Sequence, residues 1–209
     1  MIGEAIPVAN PELRRRALVL LAVISLAAPP SFARLKSYEA ADLTNFRLGP
    51  VYAQWLVGPI VQLATEEETR QFLELAEDSA AEAFIEAFWE SRGPNLVFPP
   101  TGPKYIFEGR AIEADRVFSE GTFLGRRTDR GTVFILYGSP ENVEHASSPT
   151  RFGPPIEIWN YPKKVESGLD GRRPARSYGF RVQDSMTRFF PLAGVKRLRR
   201  SRARNENLE

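Results

Sequence analysis

Apolar residues recur at the helical period in the first half of the chain and at the strand period in the second. Thr65-Glu66-Glu67-Glu68 marks the first clear helix start. The threonine oxygen can accept an early helical amide while Glu68 reaches back to the amide of Thr65. The helix that follows turns Phe72, Leu73, Leu75 and Ala76 inward. Ser79-Ala80-Ala81-Glu82 repeats the signature and predicts a second helix. Its apolar positions are Ala81, Phe84, Ile85, Phe88 and Trp89, spaced i, i+3, i+4, i+7 and i+8, with Glu82, Glu86 and Glu90 on the wet side. Gly93-Pro94 stops this helix, and the four prolines of "GPNLVFPPTGP" predict an irregular loop. A third helix is predicted from about Tyr105 to Ser119, with Phe107, Ala111, Ala114 and Phe118 inward and Gly121 ending it. Ahead of all three, Leu35 to Gly58 is an opening segment whose Trp55, Leu56 and Val57 pack onto the core.

After Thr128 the period changes to two. Thr132 to Tyr137 is apolar on both faces, which predicts a central strand. Ile156 to Tyr161 and Tyr178 to Val182 alternate, and Asp184 to Thr187 is a turn into a last strand, Arg188 to Leu192. Lys163 to Arg176 is expected to be a flexible surface loop. Helices first and strands second predict an α+β fold, with about three N-terminal helices packed on a small, mostly antiparallel sheet of about four strands.

Charge and targeting signals set this domain off from both ends of the 209-residue chain. Arg14-Arg15-Arg16, the apolar run Ala17 to Ala28 and Ser31-Phe32-Ala33 have the order of a secretory signal. Twelve helical residues at ~1.5 Å each cover roughly 18 Å, too little for a hydrocarbon layer near 30 Å. The expected organisation is a signal over 1–33 cleaved after Ala33, one domain over 34–195, and a basic tail over 196–209. The formal charge of +2 misleads, because the leader holds three arginines and the tail six cations, each against two acids. The body between them is net acidic. With no cysteine there are no disulfides and no lipid-modified cysteine. The expected location is periplasmic or extracellular, and the protein is not a lipoprotein.

One histidine and no cysteine give zinc no ligand set, and no calcium-loop spacing occurs, so neither metal nor cofactor is expected. Ser139 with His145 lacks the strand-turn-helix elbow of a nucleophilic serine. Ser139-Pro140-Glu141 instead predicts an N-cap and a short helix with His145 near its end. Gly138 alone does not make a phosphate loop. Asp115 lies close to the apolar stripe of the third helix and needs a partner there. Asp129 paired with Glu157 or with Asp115 could do acid–base work, which gives an envelope hydrolase as the alternative reading. The arginines of the tail have no interleaved aromatics, so nucleic acid is not expected. They suit an anionic lipid or polysaccharide surface, or a solvated end.

Gly125-Arg126-Arg127-Thr128-Asp129, followed by Arg130-Gly131 and "TVFILYGSPENVE", resembles the GWxTD domain, a family of bacterial exported proteins of uncharacterised function. "FIEAFWESRGPN" upstream, and "EIWNYP" (with Trp159) and "YGFRVQD" downstream, extend the likeness over roughly residues 52 to 192. Arg126 stands where the motif has its tryptophan, and "GPNLVFPP" replaces the usual Asp-Pro-Thr-Pro type of loop. The resemblance implies export but no reaction. The residues themselves suit a structural turn: Thr128 and Asp129 can accept backbone amides and Gly131 can take a positive φ, locking the register of the following strand. The expectation is a non-catalytic module that acts through an envelope protein partner.

Overall fold

Thr65 caps its helix as its spacing predicts. Thr65 Oγ1 accepts the Glu68 amide at 3.1 Å and Glu68 Oε2 accepts the Thr65 amide at 2.8 Å. The resulting helix is the second of five among the described residues of this computed structural model, which are 35–93, 101–148 and 152–192. The leader, the proline loop over 94–100 and the basic tail lie outside them. A short helix α1 (Ile60–Leu63) precedes α2 (Glu66–Glu74), α3 (Asp78–Glu90) and α4 (Pro103–Phe118). After a 3₁₀ turn at Gly125–Arg127 come α5 (Asp129–Tyr137) and strands β1 (Asn142–Ala146), β2 (Ile156–Asn160), β3 (Ser177–Gln183) and β4 (Met186–Phe189).

The first core forms around the opening segment. Leu56 and Phe72 are fully buried, and the Trp55 ring lies 4.9 Å from both Phe72 and Phe88. The α3 stripe packs here as expected, with Ala81, Phe88 and Trp89 buried. The capping glutamate has a second task, because Arg92, just past the end of α3, donates to both Glu68 carboxylate oxygens at 2.9 and 2.7 Å. The Arg92 guanidinium thereby holds the Glu68 carboxyl below its usual range. Two local expectations fail nearby. The helix α3 begins at Asp78 without a side-chain cap, so Ser79 opens nothing. Asp78 is instead drawn outward to accept the Gly49 amide at 2.8 Å. Ala76 lies beyond the end of α2 and is exposed.

The fold is α+β, as expected, but its helices are not all N-terminal. Thr132 to Tyr137 is helical within α5, not a central strand. Thr128 Oγ1 accepts the Gly131 amide at 3.0 Å and so commits the chain to a helix. Apolar residues run without a break because this helix is buried all round. Val133 and Leu136 face the sheet, and Ile135 meets Ala111 and Ala114 of α4. The helix predicted after Ser139 is in fact strand β1, with Val143 opposite Trp159 and His145 opposite Glu157.

The sheet is a four-stranded antiparallel meander in the order β1-β2-β3-β4. Trp159, Tyr178, Phe180 and Phe189 share the face turned to α5 and Phe118. The other face carries Ile156 and Ile158, covered by Phe190 and Leu192. Asp184 and Ser185, at φ 50° and 65°, form a two-residue turn that starts β4 at Met186, two residues earlier than expected. Gln183 and Met186 flank the turn as a hydrogen-bonded pair. On β4 the outward amides are therefore those of Thr187 and Phe189. By the same alternation β1 turns the amides of Val143 and His145 outward, and these meet no acceptor among the described residues.

Lys163 to Arg176 is not a loose surface loop. The Leu169 amide donates to Leu136 O at 3.0 Å, the Leu169 side chain joins the core beneath α5, and Asp170 accepts Tyr137 Oη–H at 2.7 Å. The segment satisfies the end of a helix whose last carbonyls are buried. We predict that Leu169→Ala lowers stability by about 2 kcal/mol, the low end for a core leucine because this one is half-buried. Hydrogen exchange should show the Leu169 amide protected to the same degree as α5. Exchange at the rate of a free loop would contradict this packing.

Candidate functional site

Two backbone approaches bring the Gly125 to Gly131 stretch against α4. A Cβ on Gly125 would lie 1.8 Å from Ala114 O, and one on Gly131 would lie 1.8 Å from Gly125 O. Both positions exclude any side chain. Gly131 takes helical geometry, so space rather than a positive φ is what demands glycine there. Between them Thr128 is 1% exposed, and its hydroxyl donates to Gly125 O at 2.8 Å while accepting from Gly131. Ser119 at the end of α4 completes the knot, donating to Asp115 O at 2.6 Å and accepting the Gly125 amide at 2.9 Å.

Arg126 supplies the partner that Asp115 requires. Asp115 Oδ1 accepts the Arg126 amide at 2.8 Å, and Oδ2 accepts Nε at 2.7 Å and Nη2 at 2.6 Å. Burial pushes the Asp115 carboxyl upward, but the side-chain and backbone donors of Arg126 outweigh it and hold the group below its ordinary value. An arginine at the motif's tryptophan position is therefore held in place by an acid on α4.

Asp129 and Glu120 close the outer edge of β4. Asp129 Oδ2 accepts the Phe189 amide at 2.7 Å, and Glu120 Oε2 accepts the Thr187 amide at 2.7 Å. Those are the two outward amides of the strand. Arg130 ties the corner together, with Nη2 on Glu120 Oε1 at 2.5 Å and Nη1 on Glu157 Oε2 at 3.2 Å. The other Glu157 oxygen accepts the Trp159 indole N–H at 2.5 Å. Arg130 Nε is buried without a partner among the described residues, and the guanidinium stands 5.5 Å from the Phe118 ring. Burial raises the Asp129 carboxyl above its ordinary value, more than the Phe189 amide and Arg188 lower it. Burial also pushes on Glu120, but there the Thr187 and Arg130 hydrogen bonds win and the value falls.

The three candidate carboxylates thus have three different sets of partners. Asp115 is bound to Arg126, Asp129 to the amide of β4, and Glu157 to Arg130 and Trp159. Ser139 is exposed in the link between α5 and β1, after Gly138 ends α5 at φ 77°, and Pro140 continues that link. Arg110 fills the space beside Gly138 and donates to Ile135 O at 2.9 Å and Leu136 O at 3.2 Å. Among the described residues no cluster of three or more metal-ligating side chains occurs. Also among them, no helix is long and apolar enough to cross a membrane. Arg130 and Glu120 are the organising residues that sequence reading missed. The available signal was weak: Arg130 is a cation directly ahead of an apolar run, and Glu157 an acid between two isoleucines.

The family pattern described as the GWxTD domain matches residues 50–169, more than half of the chain. No curated protein and no solved structure matches.

Substitutions at Asp129 separate its acceptor role from its charge. Because its folded value lies above the unfolded one, ionisation costs stability at neutral pH, and this cost disappears as pH falls through the raised value. Asp129→Asn keeps an acceptor and is expected to melt at or above the wild type at pH 7, the gap closing on acidification. Asp129→Ala removes the acceptor and should cost about 1 kcal/mol at pH 7, and more on acidification, because only the wild type is then relieved of its ionisation cost. Thermal melts at the two pH values check this, and an asparagine variant as damaged as the alanine one at pH 7 would sink it.

Proposed function

The chain belongs to the GWxTD domain family, and from that premise we propose that it is an exported, non-catalytic module that binds another protein of the cell envelope. One observation carries the binding part. On the exposed surface of α4, Ile106 and Val117 are 40% and 47% exposed on one flank and Ile112 is 67% exposed on the other, and Phe123 and Leu124 beyond the helix end are 49% and 51% exposed. The opposite side of the same helix is buried through Ala111 and Ala114. A surface helix needs apolar positions only on the side it buries, and in this reading the exposed ones that flank Glu113 and Arg116 are where something else docks. The polar residues interspersed there, Glu113 and Arg116, neutralise each other at 2.6 Å, which keeps that face free of net charge.

The motif supports the same reading by what its residues do. Thr128, Asp129 and Gly131 are engaged in capping, edge closure and close packing, so they fix the position of α4 relative to the sheet. In this reading the signature preserves a rigid frame, and the surface on that frame meets the partner. The basic, apolar and small-residue order of the first 33 residues supports export.

In-cell crosslinking tests both parts. A photoreactive residue at position 112 should give a defined crosslinked protein band in the native envelope, and one at exposed position 139 should not. Ile112→Glu should abolish that band with melting unchanged. Equal crosslinking from both positions, or survival of the complex in Ile112→Glu, would refute the α4 surface. The exported chain should begin at Arg34 by mass, and a retained leader would refute cleavage after Ala33.

A further inference from the structure

Arg126 and Arg127 border a groove of about 350 Å³. This groove is distinct from the outward surface of α4, since it runs along the side of that helix that carries Lys104 and Phe107. Its floor is aromatic and aliphatic, formed by Trp55, Ile85, Trp89 and Phe107, with Trp89 only 5% exposed. Among the described residues its rim carries Lys104, Arg126 and Arg127 against one acid, Glu108. The acid on Arg126 is Asp115, bound at 2.6 Å, so that cation is matched. Arg127 is different. It is exposed, and its Nη1 donates to the neutral amide oxygen of Gln54 at 2.5 Å. The rim therefore keeps a positive excess next to an apolar floor.

We propose that this groove binds a small amphiphile with a carboxylate head and an alkyl or aryl body. The head meets Arg127 and Lys104, and the body lies on Trp89 and Phe107. Charge complementarity chooses the sign of the head, and the planar guanidinium fork suits a carboxylate. Size chooses a small molecule over a protein segment, because about 350 Å³ lies at the lower end of the ~300–1,000 Å³ that small-ligand sites occupy. Arg126 gives the inference its bearing on the motif. At this position the signature's tryptophan would give the rim an apolar edge, whereas the arginine places a guanidinium paired with Asp115 beside Arg127.

Calorimetric titration of the full chain with sodium decanoate, below its micelle threshold, tests the proposal. Decyltrimethylammonium provides the same tail with the opposite head. The expected result is saturable one-to-one binding of decanoate, with the ammonium compound weaker by roughly tenfold because its charge meets like charge. Arg127→Gln should weaken decanoate about fivefold, the upper end for one exposed ion pair, with the melting temperature unchanged. Ile85→Trp should fill the floor and remove binding. If that variant does not fold, the exposed Arg127→Gln decides. No saturation, equal affinity for the two heads, or an Arg127→Gln variant that binds decanoate like the wild type would overturn the proposal. So would binding of a peptide with a free C-terminal leucine in the absence of decanoate binding.

Discussion

A strand at the edge of a sheet has amides that no neighbouring strand satisfies, and here two carboxylates satisfy those of β4. Glu120 accepts from Thr187 and Asp129 from Phe189. Glu120 follows the end of α4 and Asp129 is the first residue of α5, so each bond ties the sheet to a different helix. Arg130 then links Glu120 to Glu157 on β2, and the corner closes into one network with a single guanidinium between two carboxylates. Removing either carboxylate would leave an unpaired strand amide, and removing Glu120 would also leave Arg130 with Glu157 as its carboxylate partner among the described residues. Such a network is held by mutual satisfaction more than by the strength of any single bond.

The knot under it depends on the absence of side chains. Gly125 rests on the Ala114 carbonyl and Gly131 on the Gly125 carbonyl, so α4, the 3₁₀ turn and α5 stack backbone on backbone. Thr128 fits between them because its one hydroxyl both donates and accepts. Short polar residues and glycines recur in this stretch because larger ones would separate the helices and break the alignment of Asp129 with β4.

What could be read from the sequence depended on whether local chemistry or tertiary burial decided each element. The Thr65 box and the α3 stripe were legible because a cap and a half-buried helix each have a local period. Strands β2 and β3 were legible for the same reason at period two. The run from Thr132 to Tyr137 was not, since a helix enclosed by α4 and the sheet has no wet side to break its apolar run. Ser79 carries the same box as Thr65, yet its helix starts two residues earlier, at Asp78, whose carboxylate accepts the Gly49 amide. Ser139-Pro140-Glu141 imitates a cap, and only pairing with β2 makes the following residues a strand. At the site, the roles of Thr128 and Asp129 as amide acceptors were legible. Their recipients were not, because Phe189 lies sixty positions away in the chain. Arg130 had only a weak local signature, a cation shortly ahead of an apolar run.

The two edges of the sheet differ, and the difference sets how copies of this protein could join. On β4 both outward amides are already occupied by carboxylates. On β1 those of Val143 and His145 are not occupied by any described residue. Among the described residues, strand-to-strand contact between copies is therefore open at the β1 edge and closed at the β4 edge. An antiparallel β1-to-β1 pair would obey a two-fold axis and use this edge on both sides, so such an assembly would stop at two. A head-to-tail array, which would need β4 of one copy to accept β1 of the next, is closed off by Glu120 and Asp129. The acids that stabilise the fold also act as a terminator against fibre growth.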